Sequence, residues 1–257
     1  MAKLCDSAAS QALFASDLTE AFKAEAEARY PNEACGVIVK VGKRARFVPC
    51  RNDALDPKHF FLLNRSDYAE AEKLGEVIAI WHSHPEGVPF ASDADRAGCE
   101  ATAIPWLVSA LSKNDASFTH AGPNLIEPSG FEMPYTERPY VFGVFDCYSL
   151  LTDYFQREYE IKLTQYPELR TPEWWAGKNY FAEYFEKEGF VEVTDGTYNE
   201  GDVLLFAMGS QQPNHVAIYI GNDIILHHLL NRLSRRETCG HIWLSEMTHH
   251  LRHKSRC

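Results

Sequence analysis

Two histidines stand two residues apart in the stretch Trp81–Asp95, and a serine and an aspartate follow them. In WHSHPEGVPFASDAD these residues are His82, His84, Ser92 and Asp95. Residues two apart on an extended segment point to the same side, so both imidazoles can reach one ion. Two imidazoles and one carboxylate suit zinc, and three protein ligands leave a fourth position for water. The spacing therefore predicts His82, His84 and Asp95 as ligands of a catalytic zinc ion.

Hydrolysis at such a site also needs a proton acceptor and a group that stabilises the developing oxyanion. Glu33, just ahead of an apolar strand, is the candidate base, and the Ser92 hydroxyl is the candidate oxyanion donor. A structural alternative exists, because S-x-x-D at the head of a helix is a capping box, so Ser92 and Asp95 can serve only to start a helix. Glu33 alone is an ordinary exposed carboxylate. The catalytic hypothesis rests on all of these residues occurring together.

A second reactive group is Cys147, which follows Asp146 at the start of a predicted helix. Backbone amides and the positive end of the helix dipole favour the thiolate form at such a position. The alternative is that Cys147 is a small buried hydrophobic residue, the usual state of an isolated cysteine. Of the seven cysteines, Cys147 is the one at a helix start followed by a hairpin that carries histidines. We therefore predict it to be a nucleophile.

A thiol nucleophile needs a base, and the base needs an orienting partner. His215 begins the predicted strand HVAIYIG, and the next strand carries His227 and His228. If the intervening GND is a three-residue loop, His227 lies opposite Ala217 and shares the face of His215, whereas a two-residue loop would place His228 there. We predict His215 as the base and favour His227 as its partner.

The elements that must position the first set of residues alternate between strands and helices. Asp17 can cap a helix that Pro31 ends, and Ser66 can cap another. The strand candidates are CGVIVKV, RARFVPC, HFFLL, EVIAIWHSH and IPWLVSAL, and SDADRAGCEAT opens a further helix. This order predicts an α/β unit over residues 1–112. Residues 113–138 combine prolines and polar clusters without a period, which predicts a linker with room for one short strand.

Residues 139–257 predict a second domain in which helices come first and strands follow. FDCYSLLTDYFQREYE carries an apolar stripe typical of an amphipathic helix, and YFAEYFEKE predicts another helix. GDVLLFAM, HVAIYIG and IILHHLL predict three strands joined as an antiparallel meander. The second domain is therefore expected to be α+β.

The first domain resembles the JAMM (MPN) zinc metallopeptidases. The resemblance is carried by E-x-C-G before a strand and by H-x-H-P-x6-S-x-x-D, and it covers roughly the first 110 residues. It implies a mixed sheet with helices and hydrolysis of a peptide or isopeptide bond. In this family pattern His82, His84 and Asp95 would bind zinc, Glu33 would act as general acid and base, and Ser92 would stabilise the oxyanion.

The second domain resembles the NlpC-type cysteine peptidases, which are papain-like α+β enzymes that cut peptidoglycan stem peptides. The phrases FDCYSLL, HVAIYIGN and ILHH carry this resemblance, although Cys-Tyr-Ser stands where the family has Cys-Ser-Gly. It implies Cys147 as nucleophile, His215 as base and His227 as the orienting residue. Tyr140 matches a tyrosine near the nucleophile in that family.

The two domains in this order resemble the tail-tip assembly family of lambda-like, long-tailed bacteriophages. RPYVFGVFDCYSLLTDYF and ILHHLLNRLSRRE are similar to its second domain. The resemblance implies other tail-tip proteins and peptidoglycan stem peptides as partners. Two alternatives stay open, namely a cytoplasmic isopeptidase that removes a ubiquitin-like tag and a non-catalytic assembly chaperone or structural protein.

Composition limits the partners and the compartment. A formal net charge of -11 argues against a nucleic-acid surface, and the basic tail His249–Cys257 is expected to be a solvated terminus. Seven widely spaced cysteines without C-x-x-C predict folding in a reducing host cytoplasm. No apolar run approaches the ~18 residues of a membrane span. Delivery at a virion tail tip would let the protein act in the periplasm without a signal peptide.

Overall fold

A computed structural model describes residues 12–141, 144–166, 169 and 178–257. The chain divides into two compact units, Met1–Met133 and Pro134–Cys257. Among the residues that the structure describes, every helix is too short or too polar to span a membrane.

The first unit contains a five-stranded mixed sheet in the order β2-β1-β3-β4-β5, in which β3 and β4 are parallel and the other neighbours are antiparallel. The predicted α/β class is therefore confirmed. In chain order its elements are α1 Ser16–Arg29, β1 Cys35–Val41, β2 Arg44–Cys50, α2 Arg65–Glu72, β3 Glu76–Pro85, α3 Asp93–Thr102, β4 Trp106–Asn114 and β5 Ser117–Ile126.

Helices cover both faces of this sheet. On one face, α1 buries Leu18, Phe22 and Ala26, which recur every four residues and so form one stripe. Phe22 stacks on Trp81 of β3 with ring centroids 4.8 Å apart and meets Phe47 of β2 edge-on at 5.0 Å. Val37, Val39 and Ile80 point to the opposite face, where Ala71 of α2 and Cys99 of α3 pack against them.

Three local predictions in this unit are wrong. The second helix is capped by Asn64, which accepts a hydrogen bond from the Asp67 amide, rather than by Ser66. α1 has Ala15 at its N-cap and no side-chain cap, so Asp17 lies in the first turn. HFFLL forms no strand beyond an isolated bridge between Asn52 and Leu63, because this segment belongs to the loop between β2 and α2.

The segment predicted to be a linker, 113–138, contributes to the first sheet. β5 lies within it and pairs antiparallel with β4 from Asn114↔Ser117 to Trp106↔Ile126. The first unit consequently extends to Met133 instead of ending at residue 112. The prolines in this segment are compatible with a strand, because Pro123 lies on an edge strand, where a missing backbone N–H removes no hydrogen bond to a further strand.

The second unit contains a six-stranded antiparallel sheet in the order β10-β9-β8-β7-β11-β6. The predicted meander is confirmed as β7-β8-β9, and the mixture of helices with an antiparallel sheet is the expected α+β class. Its elements are α4 Cys147–Tyr159, α5 Tyr180–Lys187, β6 Phe190–Glu192, β7 Val203–Phe206, β8 His215–Tyr219, β9 Ile224–His227, β10 Arg235–Thr238, α6 His241–Glu246 and β11 Met247–His253.

One face of this sheet carries the main core of the unit. Leu151 and Phe155 of α4 and Phe181 of α5 are fully buried there against Val216 and Ile218 of β8. The apolar stripe that predicts α4 from the sequence is thus the surface that holds Cys147 next to β8.

The prediction that the basic tail is a solvated terminus is wrong for residues 249–253, which lie in β11, whereas Lys254, Ser255, Arg256 and Cys257 are exposed. β11 lies inside the sheet between β7 and β6. His250 is buried and its Nε2 lies 2.8 Å from Oδ2 of Asp202, while Arg252 donates to both oxygens of the same carboxylate. The charges of the tail are therefore compensated by a buried aspartate that lies 48 residues away from His250 in the chain.

We expect Phe22→Ala to lower the free energy of unfolding of the first unit by about 3–5 kcal/mol, because it removes a fully buried ring from the contact with Trp81. Phe90→Ala is the matched control, since that ring is 67% exposed and its loss should change stability by no more than about 0.5 kcal/mol. Denaturant titration followed by tryptophan fluorescence measures both. Equal effects of the two substitutions would contradict the described packing.

Candidate active sites

The first candidate site forms where the end of β3 meets the start of α3. Nε2 of His82 lies 3.0 Å from Nε2 of His84 and 3.1 Å from Oδ1 of Asp95. Nε2 of His84 lies 3.4 Å from Oδ2 of Asp95, and the three ligand atoms are all within 4.8 Å of one another. The structure therefore brings the three predicted metal ligands together.

The surroundings of the two imidazoles favour metal binding through Nε2. Nδ1 of His84 lies 2.9 Å from the carbonyl of Val88, so it donates its proton there and leaves Nε2 as the lone-pair nitrogen. His82 is fully buried between Phe61 and Trp106, with ring centroids 4.5 and 5.7 Å away, and burial lowers its pKa. Neutral imidazoles beside a carboxylate are the donor set that zinc prefers, so these residues fit the ion that the sequence predicts.

Glu33 lies beside this cluster because β1 pairs with β3. Cys35 is opposite His82 in the ladder, and the backbones of Ala34 and Ser83 are hydrogen-bonded. The Glu33 side chain is buried rather than exposed, and burial raises its pKa to about 8. A carboxylate with a pKa in this range is suited to accept and return a proton near neutral pH.

Ser92 is the N-cap of α3. Its hydroxyl oxygen accepts a hydrogen bond from the Asp95 amide at 3.1 Å, and its hydroxyl donates to Oδ2 of Asp95 at 2.8 Å. The capping box that the sequence offers as a structural alternative is thus present, and it also turns the Asp95 carboxylate toward His82 and His84. The oxyanion role of Ser92 stays a prediction.

The second candidate site lies at the first residue of α4. Asp146 caps this helix in a capping box with Ser149, which leaves Cys147 half-buried in the first turn. Burial raises the pKa of Cys147 to about 12 with a further contribution from the charge of Asp146, although backbone amides act in the opposite direction. The expectation that the helix start favours thiolate is therefore wrong for the resting site, because desolvation outweighs the dipole. A base must remove the proton.

His215 is the predicted base, and this role stays a prediction. Cys147 packs against the core cluster that contains Val216, the residue after His215, and the backbone amide of Val216 acts to lower the pKa of Cys147, so Cys147 lies near the start of β8. His215 is buried, and burial lowers its pKa to about 3, so its imidazole is neutral at pH 7. Its Nε2 lies 3.3 Å from Nδ1 of His227.

The register of the hairpin decides between the two candidate orienting residues. Ala217 pairs with His227, and the residues between Ile220 and Ile224 form the three-residue loop that the sequence analysis favours. His228 points elsewhere, with Nε2 3.0 Å from the carbonyl of Arg232 and its ring 5.3 Å from that of Tyr140. His227 is thus the histidine in contact with His215, while its catalytic role stays a prediction.

Two residues near this site were not found from the sequence. Glu237 of β10 has Oε2 3.4 Å from Nε2 of His227, and the Trp243 ring of α6 lies 4.7 Å from the His227 ring. β10 is a four-residue polar edge strand and α6 has six residues, so neither carries a periodic pattern. Their proximity depends on the pairing of β10 with β9.

Comparison with protein families identifies both domains. Residues 15–121 match the family of prokaryotic homologs of the JAB domain, and residues 137–252 match the NlpC/P60 family. The fold and the family matches thus define the class: a JAB domain that contains a cluster of His82, His84 and Asp95, followed by an NlpC/P60 domain.

Comparison with curated proteins is more specific. Tail tip assembly protein K of Escherichia phage N15 is 36% identical over 238 residues, which cover 91% of this chain and 93% of that protein. Tail tip assembly protein K of Escherichia phage lambda is 34% identical over 196 residues, covering 75% and 90% respectively. The chain belongs to the tail tip assembly protein K family.

The similarity of this chain to one solved structure is low. A Staphylococcus aureus protein described as similar to a lipoprotein of the NLP/P60 family has a TM-score of 0.34 and 20% identity, over 46% of this chain and 37% of that chain. A likeness at this level supports no conclusion.

We expect His215→Asn to slow alkylation of Cys147 by iodoacetamide at pH 7 by about 100-fold, because a protonated, buried thiol then lacks its base. Cys257, which is exposed, is an internal control whose rate should not change. Peptide mass spectrometry reads both rates from one sample. An unchanged rate at Cys147 would show that His215 does not accept its proton.

Proposed function

We propose that this protein takes part in phage tail assembly and carries two hydrolase centres. The cysteine centre hydrolyses peptide bonds of peptidoglycan, and the metal centre cleaves a peptide or isopeptide bond, with a tail protein as its substrate. The proposal is carried by one observation above all: in a chain of the tail tip assembly protein K family, β8 begins with His215, which contacts His227, and the next residue, Val216, belongs to the core cluster against which Cys147 packs.

The cysteine centre acts in two steps. His215 takes the thiol proton as Cys147 attacks the peptide carbonyl, and the same imidazole then protonates the leaving amine, which leaves an acyl-enzyme. In the second step His215 accepts a proton from water, which attacks the thioester and frees the carboxylate product. His227 keeps the His215 ring oriented through the 3.3 Å contact between their nitrogens.

The metal centre acts without a covalent intermediate. Zinc, when bound by His82, His84 and Asp95, would supply Lewis acidity toward water and the substrate carbonyl. Glu33 accepts the proton of the attacking water and returns it to the leaving amine, for which its raised pKa is suited. The Ser92 hydroxyl stabilises the oxyanion, and the carbonyl of Val88 holds the His84 ring in place.

The location follows from the same proposal. The similarity to tail tip assembly proteins K of two phages supports a role in tail assembly, and we place this assembly in the host cytoplasm with other tail-tip proteins as partners. Cleavage of peptidoglycan stem peptides requires the cysteine centre to reach the periplasm, and transport at the virion tail tip would bring it there. The net charge of -11 is in keeping with a protein that does not bind nucleic acid.

Cys147→Ala should reduce release of peptides from purified peptidoglycan by at least about 1,000-fold, because the attacking sulfur is removed. Cys257→Ala, at an exposed cysteine, should match the unaltered protein, and a metal chelator should leave this activity intact. Mass spectrometry of the released fragments also identifies the bond. Undiminished hydrolysis by Cys147→Ala would rule out this nucleophile.

His84→Ala should abolish binding of about one equivalent of zinc, since two of three ligands hold the ion poorly. Glu33→Gln should retain the metal, because Glu33 is proposed to act on water rather than on the ion. His59→Ala is the control, since that histidine is exposed and pairs with Asp56 away from the cluster. Metal analysis after dialysis is the measurement, and full zinc content in His84→Ala would refute the assigned site.

A further inference from the structure

The contact between His215 and His227 continues to a carboxylate. His227 is 1% exposed, and its Nδ1 faces Nε2 of His215 at 3.3 Å. Its other nitrogen, Nε2, is buried and makes no hydrogen bond of ordinary geometry within the described part of the chain. Oε2 of Glu237 lies 3.4 Å from this nitrogen. The side chains of His215, His227 and Glu237 therefore form a continuous series of contacts.

Glu237 is held in this position by hydrogen-bond donors. Nε1–H of Trp243 donates to Oε1 at 3.2 Å, and the guanidinium of Arg235 pairs with Oε2. Burial acts to raise the pKa of Glu237, but Trp243, Arg235 and His227 together hold it below its ordinary value. At neutral pH Glu237 is thus a carboxylate, which accepts hydrogen bonds and donates none.

An acceptor at this place decides which nitrogen of His227 carries the proton. With a carboxylate facing Nε2, the neutral ring is stabilised as the Nε2–H tautomer, and Nδ1 presents a lone pair to His215. Nε2 of His215 must then carry its own proton in order to donate to that lone pair. Nδ1 of His215 is left as its proton-accepting nitrogen.

We propose that Glu237 is a positioning residue that sets the tautomers of His227 and His215, so that His215 can accept a proton from Cys147. The inference rests on the proposed cysteine-peptidase function. In the opposite tautomer, Nδ1–H of His227 would donate to Nε2 of His215, and the proton-accepting nitrogen of His215 would be engaged by His227 instead of being free. The cysteine would then lack its base without any change in the positions of the rings.

Glu237→Gln is the sharpest substitution because it keeps the shape of the side chain and removes its charge. Three groups around Glu237, from Trp243, Arg235 and His227, donate or can donate a proton. The side-chain amide of the glutamine must direct its own NH2 group toward one of these three donors. Only His227 can respond by changing its tautomer, since its Nε2 can also accept.

The experiment uses the full chain with ¹⁵N-labelled histidine and reads the His227 tautomer by NMR, with His227→Asn to assign the signals. We expect Nε2–H in the unaltered protein and loss of that tautomer in Glu237→Gln, with alkylation of Cys147 slowed at least about tenfold at pH 7. Arg236→Gln is the matched control on the same strand. It removes an exposed charge next to Glu237 in sequence but leaves the carboxylate and its ion pair with Arg235, and it should keep both the tautomer and the alkylation rate.

A double-mutant cycle separates this role from a purely structural one. The carboxamide oxygen of His227→Asn accepts from Nε2–H of His215 without help, so adding Glu237→Gln to His227→Asn should change the alkylation rate by less than about twofold. Circular dichroism checks that each variant is folded. If Glu237→Gln does not fold, the tautomer of His227 in the unaltered protein still decides the matter.

Three results would overturn the proposal: an Nδ1–H tautomer of His227 in the unaltered protein, a retained Nε2–H tautomer in Glu237→Gln, or an equal loss of alkylation in the His227→Asn background. Absence of peptidoglycan hydrolysis by the unaltered protein would instead refute the proposed function. The tautomer and alkylation measurements do not depend on that substrate, so the two failures are distinguishable.

Discussion

Removal of imidazole and thiol groups from water is the constraint on which both candidate sites depend. Burial disfavours the charged form of each group, so His82 and His215 are neutral and Cys147 keeps its proton. A neutral imidazole can bind a metal or accept a proton, whereas imidazolium can do neither. The same desolvation raises the pKa of Glu33 to about 8, so that this carboxyl can exchange a proton near neutral pH. The apolar packing around the sites thereby shifts the pKa of each group that is proposed to take part in the chemistry.

Both sites use the start of a helix, and both use a capping box there. In the first, Ser92 caps α3 and Asp95 is at once the third helical residue and a candidate metal ligand. In the second, Asp146 caps α4 and Cys147 is the first helical residue. A capping box fixes the backbone and two side chains by local hydrogen bonds, so it positions a reactive group with little dependence on distant contacts. Structural and catalytic interpretations of the same residues are therefore compatible.

The sheets bring together residues that are distant along the chain, which a helix start cannot do. In the first unit the pairing of Cys35 with His82 brings Glu33 to the metal cluster, although these segments are some fifty residues apart in the chain. In the second unit the antiparallel hairpin β8-β9 sets His227 against His215, and β10 adds Glu237. Each site thus combines one local element with a ladder of long-range backbone hydrogen bonds.

The sequence by itself indicated the two-domain class and the candidate residues. His82, His84 and Asp95 stand at short spacings, while Cys147 and His215 each begin a strongly patterned helix or strand. It favoured His227 over His228 on the condition that GND is a three-residue loop, and the register of β8 and β9 in the structure meets that condition. Only the tertiary structure decided how far the first sheet extends, that β11 belongs to the second sheet, and that His227 contacts Glu237. Edge strands and polar strands have no apolar periodicity, and their partners lie far along the chain. It also reversed the expected ionisation of Cys147, since burial is a property of the fold rather than of the helix start.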